Sequence, residues 1–169
     1  MMARIDIDGA LALVTGAGSG IGEQTAIALL ARGRGHIVNL SSRLAYLHPR
    51  TEPVYVATKA AVLALSRSLR IDFAQHGVGV TVICPGITNT PIVDKTRYLG
   101  SQADEKVQAR SKRLFNRGHT PTKVATAIVR AIERDRSVVP VGFEAWLGWW
   151  FNRYLPLRAQ QAIGKLPLT

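Results

Sequence analysis

Tyr55 and Lys59 stand four residues apart in the run YVATK, inside a stretch over 54–75 that is rich in Ala and Leu and free of Gly and Pro. On a helix that spacing puts both side chains on one face, one above the other. An ammonium beside a phenol favours the phenolate and lowers its pKa from ~10 toward working pH, which makes Tyr55 a usable general acid or base. The competing reading is an exposed tyrosine and a solvated lysine. Ser42 bears on the choice, because it follows the apolar run HIVNL at 36–40. It therefore sits at the C-terminal edge of a sheet, where open α/β folds bind ligands. A hydroxyl there can donate to a carbonyl oxygen that becomes an alkoxide. Upstream, TGAGSGIG at 15–22 places Gly16, Gly20 and Gly22 between an apolar run and a helix-forming segment. Such a loop lets the backbone approach a pyrophosphate at a helix N-terminus, and it equally serves as a plain strand-to-helix turn.

The elements that must hold these residues alternate. LALVT at 11–15 reads as a strand, followed by the Gly-rich turn and by EQTAIALLARG, a helix ending at Gly33. The run at 36–40 is a second buried strand, and the Tyr55 segment is a long, largely buried helix, apolar nearly all round until its last turns and ending at Gly77. VGVTVIC at 78–84 is a third strand, stopped by Pro85 and Gly86. Residues 90–118 are polar and basic, a loop with one short helix over about 104–114. Thr120 and Pro121 supply an N-cap and a first helical proline, and Val124, Ile128, Ala131 and Ile132 form one stripe that packs on a sheet. SVVPV at 137–141 is a fourth strand, placed at an edge because Pro140 cannot donate to a ladder. The tail from Phe143 to Tyr154 is helical and aromatic. The alternation predicts an α/β parallel sheet of about four strands with flanking helices, over 1–141, and a C-terminal helical tail over 142–169.

Composition narrows the function classes. The chain has 169 residues, 47% hydrophobic and 20% charged, which fits one folded domain and excludes disorder over most of it. Net charge is +11, and residues 91–169, with fourteen Lys and Arg against six Asp and Glu, hold +8 of it. A single cysteine, Cys84, rules out an internal disulfide and a thiolate metal cluster in one chain. His36, His48, His76 and His119 show no metal-ligand spacing and read as surface or loop residues. Asp6 and Asp8 interrupt the place where a signal peptide needs an apolar run, and no run approaches a spanning helix, so a cytoplasmic location is expected. No motif supports nucleic-acid binding.

Taken together, TGAGSGIG at 15–22, VNLSS at 38–42, YVATK at 55–59 and CPGITNT at 84–90, in this order, resemble the short-chain dehydrogenase/reductase family, with Ser42 at the usual thirteen residues before Tyr55. The resemblance implies a Rossmann-like sheet and an oxidoreductase that interconverts a small-molecule alcohol and carbonyl with NAD or NADP. It makes Tyr55 the proton donor or acceptor and gives Ser42 the task of orienting the substrate carbonyl. Lys59 would bind the nicotinamide ribose while lowering the tyrosine pKa. Gly16, Ser19, Gly20, Ile21 and Gly22 would line the cofactor with Pro85 and Gly86, Ile87 would lie beside the nicotinamide, and Thr90 would sit near the carboxamide or phosphates. Members of that family usually form homo-oligomers through the Tyr55 helix and the helix before the Ser42 strand, and that partner helix is lost or replaced here.

This chain departs from that pattern in one place. A single helix joins the Gly-rich loop to the Ser42 strand, so about a hundred residues, or three strands with their helices, are absent at ~30 residues per repeat. Lost with them are the residue that grips the adenosine ribose and separates NAD from NADP, an Asn-Asn-Ala-Gly turn and a catalytic asparagine. Because ALLARG at 28–33 runs directly into RGHIVNLSS, the junction reads as an in-frame deletion between similar segments; the alternative is a variant that was always this short. Three functions therefore stay open: an active oxidoreductase, an inactive remnant or dinucleotide-binding module, and a surface-binding protein. The last rests on the basic run Lys106, Arg110, Lys112, Arg113 and Arg117 and on the stripe Phe143, Trp146, Leu147, Trp150 and Tyr154, which either docks on a membrane surface or partner or packs on its own domain.

Overall fold

The computed structural model describes residues 12–15, 35–49, 52–91 and 104–164. Four parallel strands run in the order β1 (Ala12–Thr15), β2 (Gly35–Leu40), β3 (Val78–Pro85) and β4 (Val138–Val141). β1 adds its backbone to the free edge of β2, with Ala12 opposite His36 and Thr15 opposite Asn39. The Gly-rich loop and the helix expected after it lie outside the described residues. Among the described residues β4 is an edge, and Pro140 faces Cys84 across its ladder with β3. An edge position tolerates a residue with no N–H to donate.

Both faces of β2 and β3 are covered, which is why the two strands read as nearly unbroken apolar runs. Helix α1 (Pro53–Ala74) lies on one face, where Val62 and Leu63 meet Val82 and Cys84, and Phe73 meets Ile37, Val78 and Val80. Helix α3 (Pro121–Glu133) lies on the other, with Ala131 and Ile132 against Val38, Ile83 and Val141 and with Val124 and Ile128 beside them. The expected stripe of α3 is thus the one that packs. Its Thr120 cap accepts from the Lys123 N–H, and Pro121 occupies the first turn. Helix α2 (Glu105–Asn116) is capped by Asp104 and buries no residue. Helices α4 (Phe143–Tyr154) and α5 (Leu157–Gly164) form the tail. Among the described residues no helix is long and apolar enough to cross a membrane.

Two expectations about burial are corrected. Helix α1 is not largely buried: Val62, Leu63, Ser66 and Phe73 are its buried residues, whereas Val54 is 77% exposed, Leu65 49% and Ile71 81%. The sheet covers one side of the helix, and apolar composition alone does not supply a second cover. His36 is not a surface residue either, being 2% exposed on β2. Its Nε2 hydrogen-bonds Thr81 Oγ1 at 2.7 Å, and the Thr81 hydroxyl in turn donates to the Arg136 carbonyl. A polar side chain can occupy a central strand when it is paired in this way. Nearby, Arg70 of α1 passes the end of β3, donates to the Val80 carbonyl and grips the Asp135 carboxylate with both terminal nitrogens, at 3.0 and 2.7 Å. Asp135 has a left-handed φ of 46° just after α3, so this ion pair fixes the turn into β4.

Candidate active site

The C-terminal ends of β2 and β3 and the first turns of α1 meet in one place, and each is pinned there by side-chain bonds. Asn39 donates to Ser66 Oγ at 3.0 Å, and the Ser66 hydroxyl donates to the Val62 carbonyl. Ser41 Oγ donates to the Lys59 carbonyl at 2.7 Å. These bonds set β2 against α1 before any functional group is considered. Beyond Leu40 the chain turns through a short 3-10 helix, Arg43–Ala45, for which Ser42 is the cap: its side-chain oxygen accepts from the Leu44 N–H at 3.2 Å.

The cap leaves the single Ser42 hydroxyl proton free to be donated, and the Ser42 side chain is near enough to the Tyr55 phenol to pull its pKa down. Lys59 lies one turn further along α1, its Nζ 5.6 Å from the centre of the Tyr55 ring and 3.2 Å from the Leu40 carbonyl oxygen, to which it donates. Ser42, Tyr55 and Lys59 are all half-buried. The three residues singled out in the sequence are therefore brought together.

Their electrostatics differ from the expectation. The Tyr55 phenol is held above its usual value, first by burial and also by the Glu52 carboxylate, with the Ser42 side chain pulling the other way. The ammonium stands over the ring and is bound to the Leu40 carbonyl, and it is not what sets the phenol's acidity here. Burial also lowers the Lys59 pKa, opposed by the nearby Cys84. The Cys84 thiol is pushed up to about 12 by burial, which leaves it neutral and unreactive in the core.

The segment after β3 leaves from the same end of the sheet. Pro85 ends the strand; Gly86, Ile87 and Thr90 are half-buried. The Gly86 N–H donates to the Val141 carbonyl at 2.8 Å, and the chain from 87 to 89 runs beside His119 through His119 N–H to Ile87 O and Asn89 N–H to His119 O. Glu144 of α4 accepts from the Ile87 N–H at 3.2 Å and meets His119 Nε2 at 3.1 Å, while Lys123 Nζ lies 3.1 Å from His119 Nδ1. Burial raises the Glu144 pKa, but its hydrogen bonds from its own N–H, His119 and Ile87 outweigh that and hold it below the usual range. His119, read from sequence as a surface or loop residue, is a half-buried member of this network. Sequence reasoning missed the Glu144 and His119 pair, since 25 positions separate them and neither sits in a motif. The loop residues Gly16, Ser19, Gly20, Ile21 and Gly22 lie outside the described residues. No group of His, Cys, Asp or Glu suited to a metal ion occurs among the described residues.

Comparison with known proteins gives this geometry a context. Residues 28–98 match the family model for short chain dehydrogenases. The probable oxidoreductase EphD of Mycobacterium tuberculosis is 39% identical over 134 residues, which is 76% of this chain but 23% of that protein. The chain thus spans about a quarter of the length of this curated relative. Among solved structures, a short chain dehydrogenase/reductase from Burkholderia phymatum, in complex with NAD, superposes with a TM-score of 0.66 at 22% identity, covering 86% of this chain and 65% of that one. A short chain dehydrogenase from Burkholderia cenocepacia, in complex with NADP, gives 0.67 at 20% identity, covering 87% and 54%. At these identities the two structures bear on the fold.

Proposed function

The chain belongs to the short-chain dehydrogenase family, in a form shortened relative to its relatives, and on that footing we propose that it is a nicotinamide-dinucleotide-dependent oxidoreductase interconverting an alcohol and a carbonyl. The observation that carries the reading is the Lys59 ammonium 5.6 Å from the centre of the Tyr55 ring and 3.2 Å from the Leu40 carbonyl, at the end of the strand that Ser42 follows. The donor set suits the reactive end of a dinucleotide, because an ammonium and two hydroxyls offer partners to ribose hydroxyls and to a substrate oxygen at once. Lys59 and Tyr55 would hold the nicotinamide ribose, with Ile87 and Thr90 lining the same end, and either NAD or NADP fits this part of the site. The bound cofactor supplies or takes the hydride.

In the reducing direction Ser42 donates to the carbonyl oxygen and the Tyr55 phenol gives up its proton as negative charge develops there. In the oxidising direction the same phenol oxygen must first be ionised. Burial opposes that ionisation, so the site favours proton donation near neutral pH. The same observation supports a second reading, a chain that binds a dinucleotide with little turnover. The uncovered side of α1, with Val54 and Ile71 largely exposed, supports self-association through that helix.

Steady-state assays with NAD and NADP on a panel of secondary alcohols and ketones, paired with calorimetric cofactor titration, test the proposal. Cofactor-dependent turnover that disappears in Tyr55→Phe supports it. Cofactor binding without turnover supports the binding module, and no binding at millimolar cofactor removes both readings.

A further inference from the structure

All three tryptophans of the protein lie in α4. Trp149 is packed inward against Tyr46, with ring centres 5.3 Å apart, and Ala145 and Gly148 are buried on the same side, Gly148 against Leu47. The core has therefore already taken one face of this helix. The other face carries Phe143, Trp146, Trp150 and Tyr154, exposed by 75, 50, 45 and 61%. Positions 143, 146, 150 and 154 follow the helical repeat and make one stripe. Its rings touch in sequence, Trp146 to Trp150 at 5.7 Å and Trp150 to Tyr154 at 4.4 Å, and Leu157, 67% exposed, continues the apolar surface at the start of α5. A contiguous exposed patch of this kind marks an interaction site.

Charge selects the occupant. Residues 143–164 contain Arg153 and Arg158 and a single carboxylate, Glu144, which is turned in to His119 and the Ile87 N–H. Arg153 stands 5.9 Å from the Tyr154 ring centre. Tryptophan and tyrosine are the side chains favoured where hydrocarbon meets headgroups, and rimming arginines add attraction to anionic lipid. We propose that α4 lies flat in the headgroup layer of an anionic bilayer, with Phe143, Trp146, Trp150 and Tyr154 toward the acyl chains and the exposed Arg153 and Arg158 against lipid phosphates. The attachment is peripheral, goes beyond the oxidoreductase reading and does not depend on it.

Because every tryptophan is in α4, intrinsic emission of the full chain reports on this helix alone. Vesicles of phosphatidylcholine, with and without roughly a third phosphatidylglycerol, are titrated into the protein at low and at high salt. The expected result is a blue shift, quenching by brominated acyl chains, and binding to the anionic vesicles about tenfold tighter than to the neutral ones, reduced by salt. In co-sedimentation, Trp146→Ser with Trp150→Ser is expected to weaken binding about tenfold, and Arg153→Glu with Arg158→Glu to remove the preference for anionic lipid. Circular dichroism melts establish that the variants fold, and quenching of the unaltered protein needs no variant. Absence of binding to anionic vesicles at low salt, equal affinity for both vesicles, unquenched emission, or a dimer in sedimentation velocity that binds no vesicles would overturn the proposal.

Discussion

Glu144 and His119 meet at 3.1 Å, and through them the start of α4 holds the turn that follows β3. The carboxylate answers the Ile87 N–H, which has no strand partner once β3 has ended. Removing it leaves that N–H and the imidazole without their acceptor, at a cost of about 1 to 3 kcal/mol for a partly buried group. Glu144→Ala is therefore expected to lower the midpoint of urea unfolding and to raise the KM for cofactor more than it changes kcat. An unchanged midpoint would show that water replaces the carboxylate without loss.

Gly142 stands between those two residues with a φ of 106°, a region that L side chains rarely adopt. A Cβ there would collide with His119 Nε2. Gly142→Ala is expected to destabilise the fold by about 1 to 3 kcal/mol, seen as a drop in Tm of several degrees. A Tm within a degree of the parent would mean that the β4 to α4 turn can relax freely.

Turnover should be slow. The family resemblance implies that the grip on the adenosine half is absent here, and a small displacement of a bound reactant costs ~100-fold in rate. We expect kcat below the usual enzyme range of ~1 to 1000 per second, and none in Tyr55→Phe. Rates inside that range would show that the shortened chain assembles a complete site.

The raised Tyr55 pKa gives the activity a pH signature. The phenol stays protonated through neutrality, so carbonyl reduction should hold steady near pH 7 while alcohol oxidation climbs as pH rises toward and beyond the ordinary tyrosine value of ~10. Ser42→Ala removes the one contact that pulls this pKa down. It should move the tyrosine titration, read as the ultraviolet difference against Tyr55→Phe, further upward and cut kcat about 100-fold by loss of a donor to the developing oxyanion. A titration that stays in place would sever Ser42 from the phenol.

His36 predicts an acid-sensitive fold. Burial holds its pKa below the ordinary 6.5, against the opposing pull of Asp135, so the folded state keeps the imidazole neutral. Its contribution is complete above about 6.5 and is lost as pH falls below that value, where the unfolded chain takes up a proton that the folded chain refuses. Glu144, with a lowered pKa, adds a separate loss once pH drops below its ordinary value. Unfolding midpoints between pH 8 and 5 should fall in the parent and fall less steeply in His36→Gln. Equal slopes would assign the acid sensitivity elsewhere.

Local chemistry was enough to foresee the strands, their parallel order, the edge placement of Pro140, the Thr120 cap and the spacing of Ser42, Tyr55 and Lys59. Each depends on residues close in sequence or on a repeat of two or 3.6, which a single chain displays openly. What tertiary structure decided is which faces are covered and which charges meet. Apolar composition suggested a buried α1, yet one sheet face covers only one side of it, and Val54 and Ile71 remain outside. Histidines without ligand spacing read as surface or loop residues; His119 does lie in the loop before α3, where folding brings it to Glu144, but strand pairing carries His36 inward to Thr81. Lys59 looked poised to ionise Tyr55, but the environment that sets a pKa is three-dimensional: burial dominates the phenol, and the ammonium is bound to the Leu40 carbonyl. Sequence neighbours fix backbone form, whereas solvent exclusion and Coulomb contacts belong to groups that only the fold makes neighbours.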